Sequence, residues 1–114
     1  MSNHIVASVD PESGRVAAET DGGQAIALES EGVAAASPID VLLASLAGCT
    51  AMDVASILRK KRQSAVEYQV VVDGDRADEH PRVFTAIRVE HRVRGAVEPE
   101  ALRRSIEQIG RAHV

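Results

Sequence analysis

Ser37-Pro38-Ile39-Asp40-Val41-Leu42-Leu43-Ala44-Ser45-Leu46-Ala47-Gly48-Cys49-Thr50-Ala51-Met52-Asp53-Val54-Ala55-Ser56-Ile57-Leu58 is the stretch on which the fold turns. Ser37 can accept a bond from a free first-turn N–H, Pro38 sits where a missing N–H costs nothing, and Asp40 brings a carboxylate to the positive end of the helix dipole. From Val41 to Leu58 the only charge is Asp53, so the segment is apolar nearly all round. A helix of that kind belongs in a core. Arg59-Lys60-Lys61-Arg62 closes it, with basic side chains complementing the negative C-terminal end. The pattern predicts one long helix from Ser37 to about Lys61. A bilayer-spanning role is disfavoured by Asp53 and the hydroxyls of Ser45, Thr50 and Ser56.

Upstream, short β segments alternate with turns. Residues 5–9, 15–20 and 24–29 read as strands of a meander, separated by Asp10-Pro11-Glu12-Ser13-Gly14 and Asp21-Gly22-Gly23. Downstream, residues 66–73 alternate, with Val66, Tyr68, Val70 and Val72 on one face. Residues 73–81 read as a polar loop, and residues 83–94 alternate again with Ile87, Val89, His91 and Val93 together. The two alternating runs are expected to pair as a hairpin. Glu98-Pro99-Glu100 then starts a second helix carrying Leu102, Ile106 and Ile109 at helical spacing. Together these elements predict an α+β fold. Residues 1–108 are read as a single domain, incomplete at its C-terminal end, and residues 109–114 as a non-native tail.

The 114 residues suffice for one core and not two. Tyr68 and Phe84 are the only aromatic residues, which leaves no platform for stacking nucleic-acid bases, and the net charge of -4 would repel a phosphate backbone. Nucleic acid is therefore not an expected partner. The N-terminus lacks the basic and apolar regions of a secretory signal, so a cytoplasmic location is expected. A single cysteine, Cys49, permits neither an internal disulfide nor a thiolate zinc cage. The acidic loop after Asp73 lacks the glycine and the final glutamate of a calcium loop, and no metal is expected.

Cys49 is the one candidate nucleophile. It lies one helical turn from Ser45 and from Asp53, and Gly48 before it would let another backbone approach. Twelve residues from Ser37, it is roughly 18 Å along the axis from the helix start, too far for the terminal dipole to help ionise it. Its residue type in an apolar helix also fits an inert packed thiol. His91 reads either as a core-edge histidine with its hydrogen bonds satisfied or as a base for Cys49, and His80 as a solvated loop residue. Arg15 is the sole arginine of the N-terminal strands and a candidate cation.

The run from Ser37 to Leu58, with Glu79-His80-Pro81-Arg82-Val83-Phe84-Thr85-Ala86-Ile87 and Val93-Arg94-Gly95, resembles the OsmC/Ohr family of osmotically inducible and organic hydroperoxide resistance proteins, in its OsmC-like branch. The resemblance covers about residues 37–108. It implies an α+β domain whose antiparallel sheet wraps a long central helix, built into an intertwined homodimer with the active site at the subunit interface. It further implies a thiol-dependent peroxidase without a cofactor. In such a protein Cys49 would attack an organic hydroperoxide and an external dithiol would restore the thiol. Two departures bear on this. Peroxidase members carry a second cysteine near their C-terminal helix, which nothing here matches, and a glutamate directly after the helix-start proline, where this chain has Ile39. Asp40, one residue on, points about 100° around the helix and is a weak substitute for that carboxylate. Arg15 is an equally weak match for the arginine that the glutamate orients. The alternative is a non-peroxidase relative that binds a small molecule or partner in an apolar interface pocket, with Cys49 structural.

Overall fold

The computed structural model describes residues 2–112, with side chains for residues 2–108. Its first compact unit is residues 1–42 and its second residues 43–114.

Turn chemistry shapes the first unit. Asp10 Oδ1 accepts from the Glu12 backbone N–H at 3.0 Å, and the Ser13 hydroxyl donates to Asp10 Oδ2 at 2.9 Å. Those bonds, the Glu12 amide first, hold the Asp10 carboxyl below its ordinary pKa. The turn folds β1 (Ile5–Val9) onto β2 (Val16–Thr20), with Val9 opposite Val16. Gly23, at φ +84°, turns the chain into β3 (Ala25–Leu28), which places Leu28 opposite Val16. The meander is antiparallel throughout, in the order β1-β2-β3. Strand bounds fall within a residue of those predicted. Ala18, on the central strand, is buried.

Helix α1 spans Pro38–Lys60 and starts as read: the Asp40 N–H donates to Ser37 Oγ at 3.2 Å and the Val41 N–H to the Ser37 carbonyl at 3.0 Å. Its far end holds a feature the sequence does not announce. Gln63 N–H donates to the Leu58 carbonyl at 2.9 Å and Arg62 N–H to the Arg59 carbonyl at 3.0 Å, the paired bonds of a Schellman cap. The left-handed position of that cap is taken by Arg62, at φ +56°, where glycine is usual. Arg62→Gly is therefore expected to raise stability by about 0.5–1 kcal/mol, read as a higher urea midpoint at unchanged slope.

The second unit continues with β4 (Ser64–Arg76), β5 (Phe84–Ala96) and α2 (Pro99–Ala112). The two strands form the expected antiparallel hairpin, with Tyr68 opposite Val93 and Val72 opposite Val89. Three expectations need correction. Residues 73–76 belong to β4, not to a loop, because Gly74 pairs with Ile87 and leaves room for the Phe84 ring. A Cβ at Gly74 would lie 2.5 Å from Phe84 Cε1. Asp75 joins in through an ion pair with Arg88 at 2.8 Å. Val66 leaves the apolar face of its strand because the ladder shifts register between Ala65 and Glu67, and it is exposed. Val83 precedes β5, which begins at Phe84.

The core of this unit is Val54 and Leu58, packed by Ile57, Tyr68, Val97, Leu102 and Ile106. The expected apolar face of α2 is thus confirmed for Leu102 and Ile106. The Ile109 side chain and the tail residue His113 lie outside the described residues. Ser105, fully buried, donates to the Ala101 carbonyl at 2.8 Å and accepts from Lys61 Nζ at 3.3 Å. Gln63 Oε1 accepts from the Glu98 N–H at 2.7 Å, tying the end of α1 to the start of α2.

Within a single chain, the core that α1 was expected to enter takes in only its C-terminal part. Val54 and Leu58 are its buried residues, whereas Leu46, Cys49 and Met52 are exposed. The cause is reach, since the side chains that cover α1 in this unit gather around its last two turns.

Candidate functional site

Cys49 lies in the middle of α1 and is exposed. Leu46 and Met52, three residues to either side, share its face of the helix and are 37% and 74% exposed, so the thiol stands in an open apolar stripe. An added Cβ at Gly48 would meet nothing within 4 Å, so the close backbone approach anticipated there is not made among the described residues. Ser45 and Asp53, one turn away on either side, both make interactions of their own.

Arg15 and Asp40 both belong to the first unit, and among the described residues they share no hydrogen bond or ion pair. Arg15 is exposed just before β2 and lines a groove of about 620 Å³ with Asp10, Val16, Leu28, Glu29 and Ala35. Asp40 is exposed in the first turn of α1, with its backbone N–H held by Ser37. Among the described residues no group of three histidine, cysteine or acidic side chains could hold a metal ion.

His91 follows the first of its two readings. Its Nδ1 lies 2.7 Å from the Tyr68 hydroxyl, with the ring centroids 5.9 Å apart. The hairpin register explains the pair: Val70 stands opposite His91 and Tyr68 opposite Val93, which makes Tyr68 and His91 diagonal neighbours on one face. Both residues fall on the predicted apolar faces, so a register assigned to the hairpin would have found the contact. Burial pushes the Tyr68 hydroxyl up to about 12 and the His91 imidazole below its ordinary 6.5.

The signs of both shifts define a stability plateau. Unfolded tyrosine loses its proton near 10 while Tyr68 keeps its own to about 12, so stability falls as pH rises through that window. Unfolded histidine binds a proton near 6.5 and folded His91 resists it, so stability also falls as pH drops below that value. Near-ultraviolet titration of the chain's one tyrosine is expected to give a phenolate midpoint near 12, returning to about 10 in urea.

Comparison with known proteins adds a consistent identity to this geometry. The family model described as OsmC-like protein matches residues 29–112. Protein YhfA of Escherichia coli strain K12 is 38% identical over 78 residues, which cover 68% of this chain and 58% of that protein. The chain thus spans less than two thirds of the length of the curated relatives it matches. Among solved structures, a hypothetical protein from Aquifex aeolicus VF5 superposes with a TM-score of 0.82 at 25% identity, covering 94% of this chain and 77% of its own. An OsmC-like protein from Mycoplasma pneumoniae gives a TM-score of 0.85 at 16% identity, covering 97% and 82%. The α+β fold with antiparallel sheets and a long helix is shared with these neighbours.

Proposed function

Because the chain belongs to the OsmC-like family, we propose that it is a thiol-dependent reductase of organic hydroperoxides with Cys49 as the attacking residue. The observation that carries the reading is an exposed cysteine sulfur between the exposed apolar side chains of Leu46 and Met52. An apolar hydroperoxide could lie along that stripe with its terminal oxygen against the thiol. The Cys49 thiolate attacks that oxygen, the O–O bond breaks, and the departing alkoxide takes a proton to leave as the alcohol. Cys49 is oxidised to a sulfenic acid. An external dithiol condenses with it, releasing water and forming a mixed disulfide, and its second thiol then displaces Cys49 as a free thiol.

In this scheme Arg15 is the candidate cation that favours the thiolate and Asp40 the candidate carboxylate that orients it. Two copies are proposed to pair as a homodimer along this exposed face of α1 with the thiol left open to substrate at the edge of the interface, which is why we take α1 as a core helix of the assembly rather than a membrane span. By length and composition alone α1 would suit either. The second reading, a non-peroxidase binding protein, is favoured by Ile39 standing where peroxidase members carry a glutamate.

Mass spectrometry of Cys49 after one equivalent of cumene hydroperoxide separates the two. A sulfenic acid, trapped by dimedone and formed at least about a hundredfold faster than on free cysteine, is expected. Oxidation no faster than that of free cysteine would leave Cys49 a structural residue.

A further inference from the structure

At the C-terminal end of α1 the second unit contains a cavity of about 440 Å³ that has no part in the chemistry of Cys49. Its size falls within the range of small-molecule sites, about 300–1,000 Å³. Two features of the backbone create it. The Schellman cap turns the chain sharply away at Arg62, and the register shift between Ala65 and Glu67 lifts the start of β4 off its regular ladder. Ala55 and Leu58 lie between them, Leu58 only 2% exposed, while Val66 and Tyr68 line the strand side.

The polar groups of this cavity differ in what they have left to offer. Gln63 is committed, accepting from the Glu98 N–H and donating to the Lys61 carbonyl. The Tyr68 hydroxyl is committed to His91. Arg59 and Ser64 also line the cavity, and among the described residues neither side chain has a hydrogen bond or an ion pair. A free guanidinium and a free hydroxyl beside an apolar wall form the recognition pattern of a carboxylate joined to an apolar body.

The end of a helix ordinarily repels anions. Here the Ile57, Leu58 and Arg59 carbonyls already accept from Lys61, Gln63 and Arg62, and four consecutive cationic residues, Arg59 to Arg62, overlie the helix end. In a chain of net charge -4 this is a local reversal of sign.

We propose that this cavity binds a small amphipathic monocarboxylate, its carboxylate on Arg59 and Ser64 and its apolar body against Ala55, Leu58 and Val66. The assignment is independent of the peroxidase reading, since no residue of the catalytic scheme takes part.

The lone tyrosine supplies the assay. Tyr68 lines the cavity and the chain has no tryptophan, so intrinsic fluorescence reports occupancy directly. Octanoate is expected to change Tyr68 emission saturably and to bind at least about tenfold more tightly than octanol, the margin of one charge-assisted pair. Arg59→Gln should remove that preference while leaving octanol binding unchanged. Ala55→Leu should weaken both ligands by filling the wall. Arg59 is exposed at the end of α1, so its variant is expected to fold and decides the matter even if Ala55→Leu does not. Equal affinity for octanoate and octanol, an unaltered preference in Arg59→Gln, saturation by inorganic phosphate as tight as by octanoate, or no saturable response would each overturn the assignment.

Discussion

Cys49→Ser is expected to abolish dithiol-dependent consumption of cumene hydroperoxide, a loss of roughly 10³-fold or more, while leaving the fold intact. The size follows from the role. A serine hydroxyl is not ionised at neutral pH and cannot cycle through a sulfenic acid, so no step of the scheme survives the exchange. The innocuous effect on folding follows from exposure, since a substitution at an exposed helix position away from core and cap changes stability by about 0.5 kcal/mol or less. Hydroperoxide turnover and a thermal melt on the same sample therefore read the two consequences separately. Retained turnover in the serine variant would transfer the chemistry elsewhere, and with one cysteine in the chain the thiol mechanism would fall.

Gly95→Ala carries the largest expected effect on stability, about 3 kcal/mol or more. Gly95 sits at φ +140°, in a region open essentially to glycine alone. A Cβ there would lie 2.3 Å from the Ser64 carbonyl oxygen, 2.7 Å from the Val66 nitrogen and 3.0 Å from Ala65 Cα. All three are backbone atoms of the facing strand, so relief requires moving the strand rather than turning a side chain. That strand end holds the bulge beside Val66 and runs directly from the capped end of α1, so the disturbance would reach the Val54–Leu58 core. Urea unfolding followed by far-ultraviolet circular dichroism measures it. A midpoint within error of the parent would show that the bulge can relax at little cost.

The elements proved more legible than the contacts between them. Residue type and spacing locate α1 to within a residue because Ser37, Pro38 and Asp40 each satisfy a separate requirement of a helix start. The meander is equally readable, its turns being built from Asp10, Gly14 and Gly23, residues that supply their own hydrogen bonds or positive φ. What escaped depends on pairing across sequence distance. Asp73 to Arg76 look like a loop when read by polarity, and become strand only because Arg88 and Phe84 stand opposite. Arg62 in the left-handed position has no local signature, since the cap is imposed by where the chain must go next. Polarity also overstates how much of α1 one chain can cover: an apolar surface records a demand for burial without saying whether the same molecule meets it. The catalytic candidate was legible as a residue type. Arg15 and Asp40 are placed individually by the fold and were singled out by resemblance rather than by physical necessity.

The uneven distribution of buried side chains has a consequence for how the molecule comes apart. Among the described residues of the first unit the buried apolar residue is Ala18, whose methyl contributes little, whereas the Val54–Leu58 cluster is sealed by two helices and a hairpin. Opening free energies should grade accordingly, with amides of the N-terminal meander trading deuterium at close to unprotected rates while those near Leu58 wait for global unfolding. A protease would find its first nick upstream of the helix, and what it left behind would be the half that carries both the sulfur and the tyrosine.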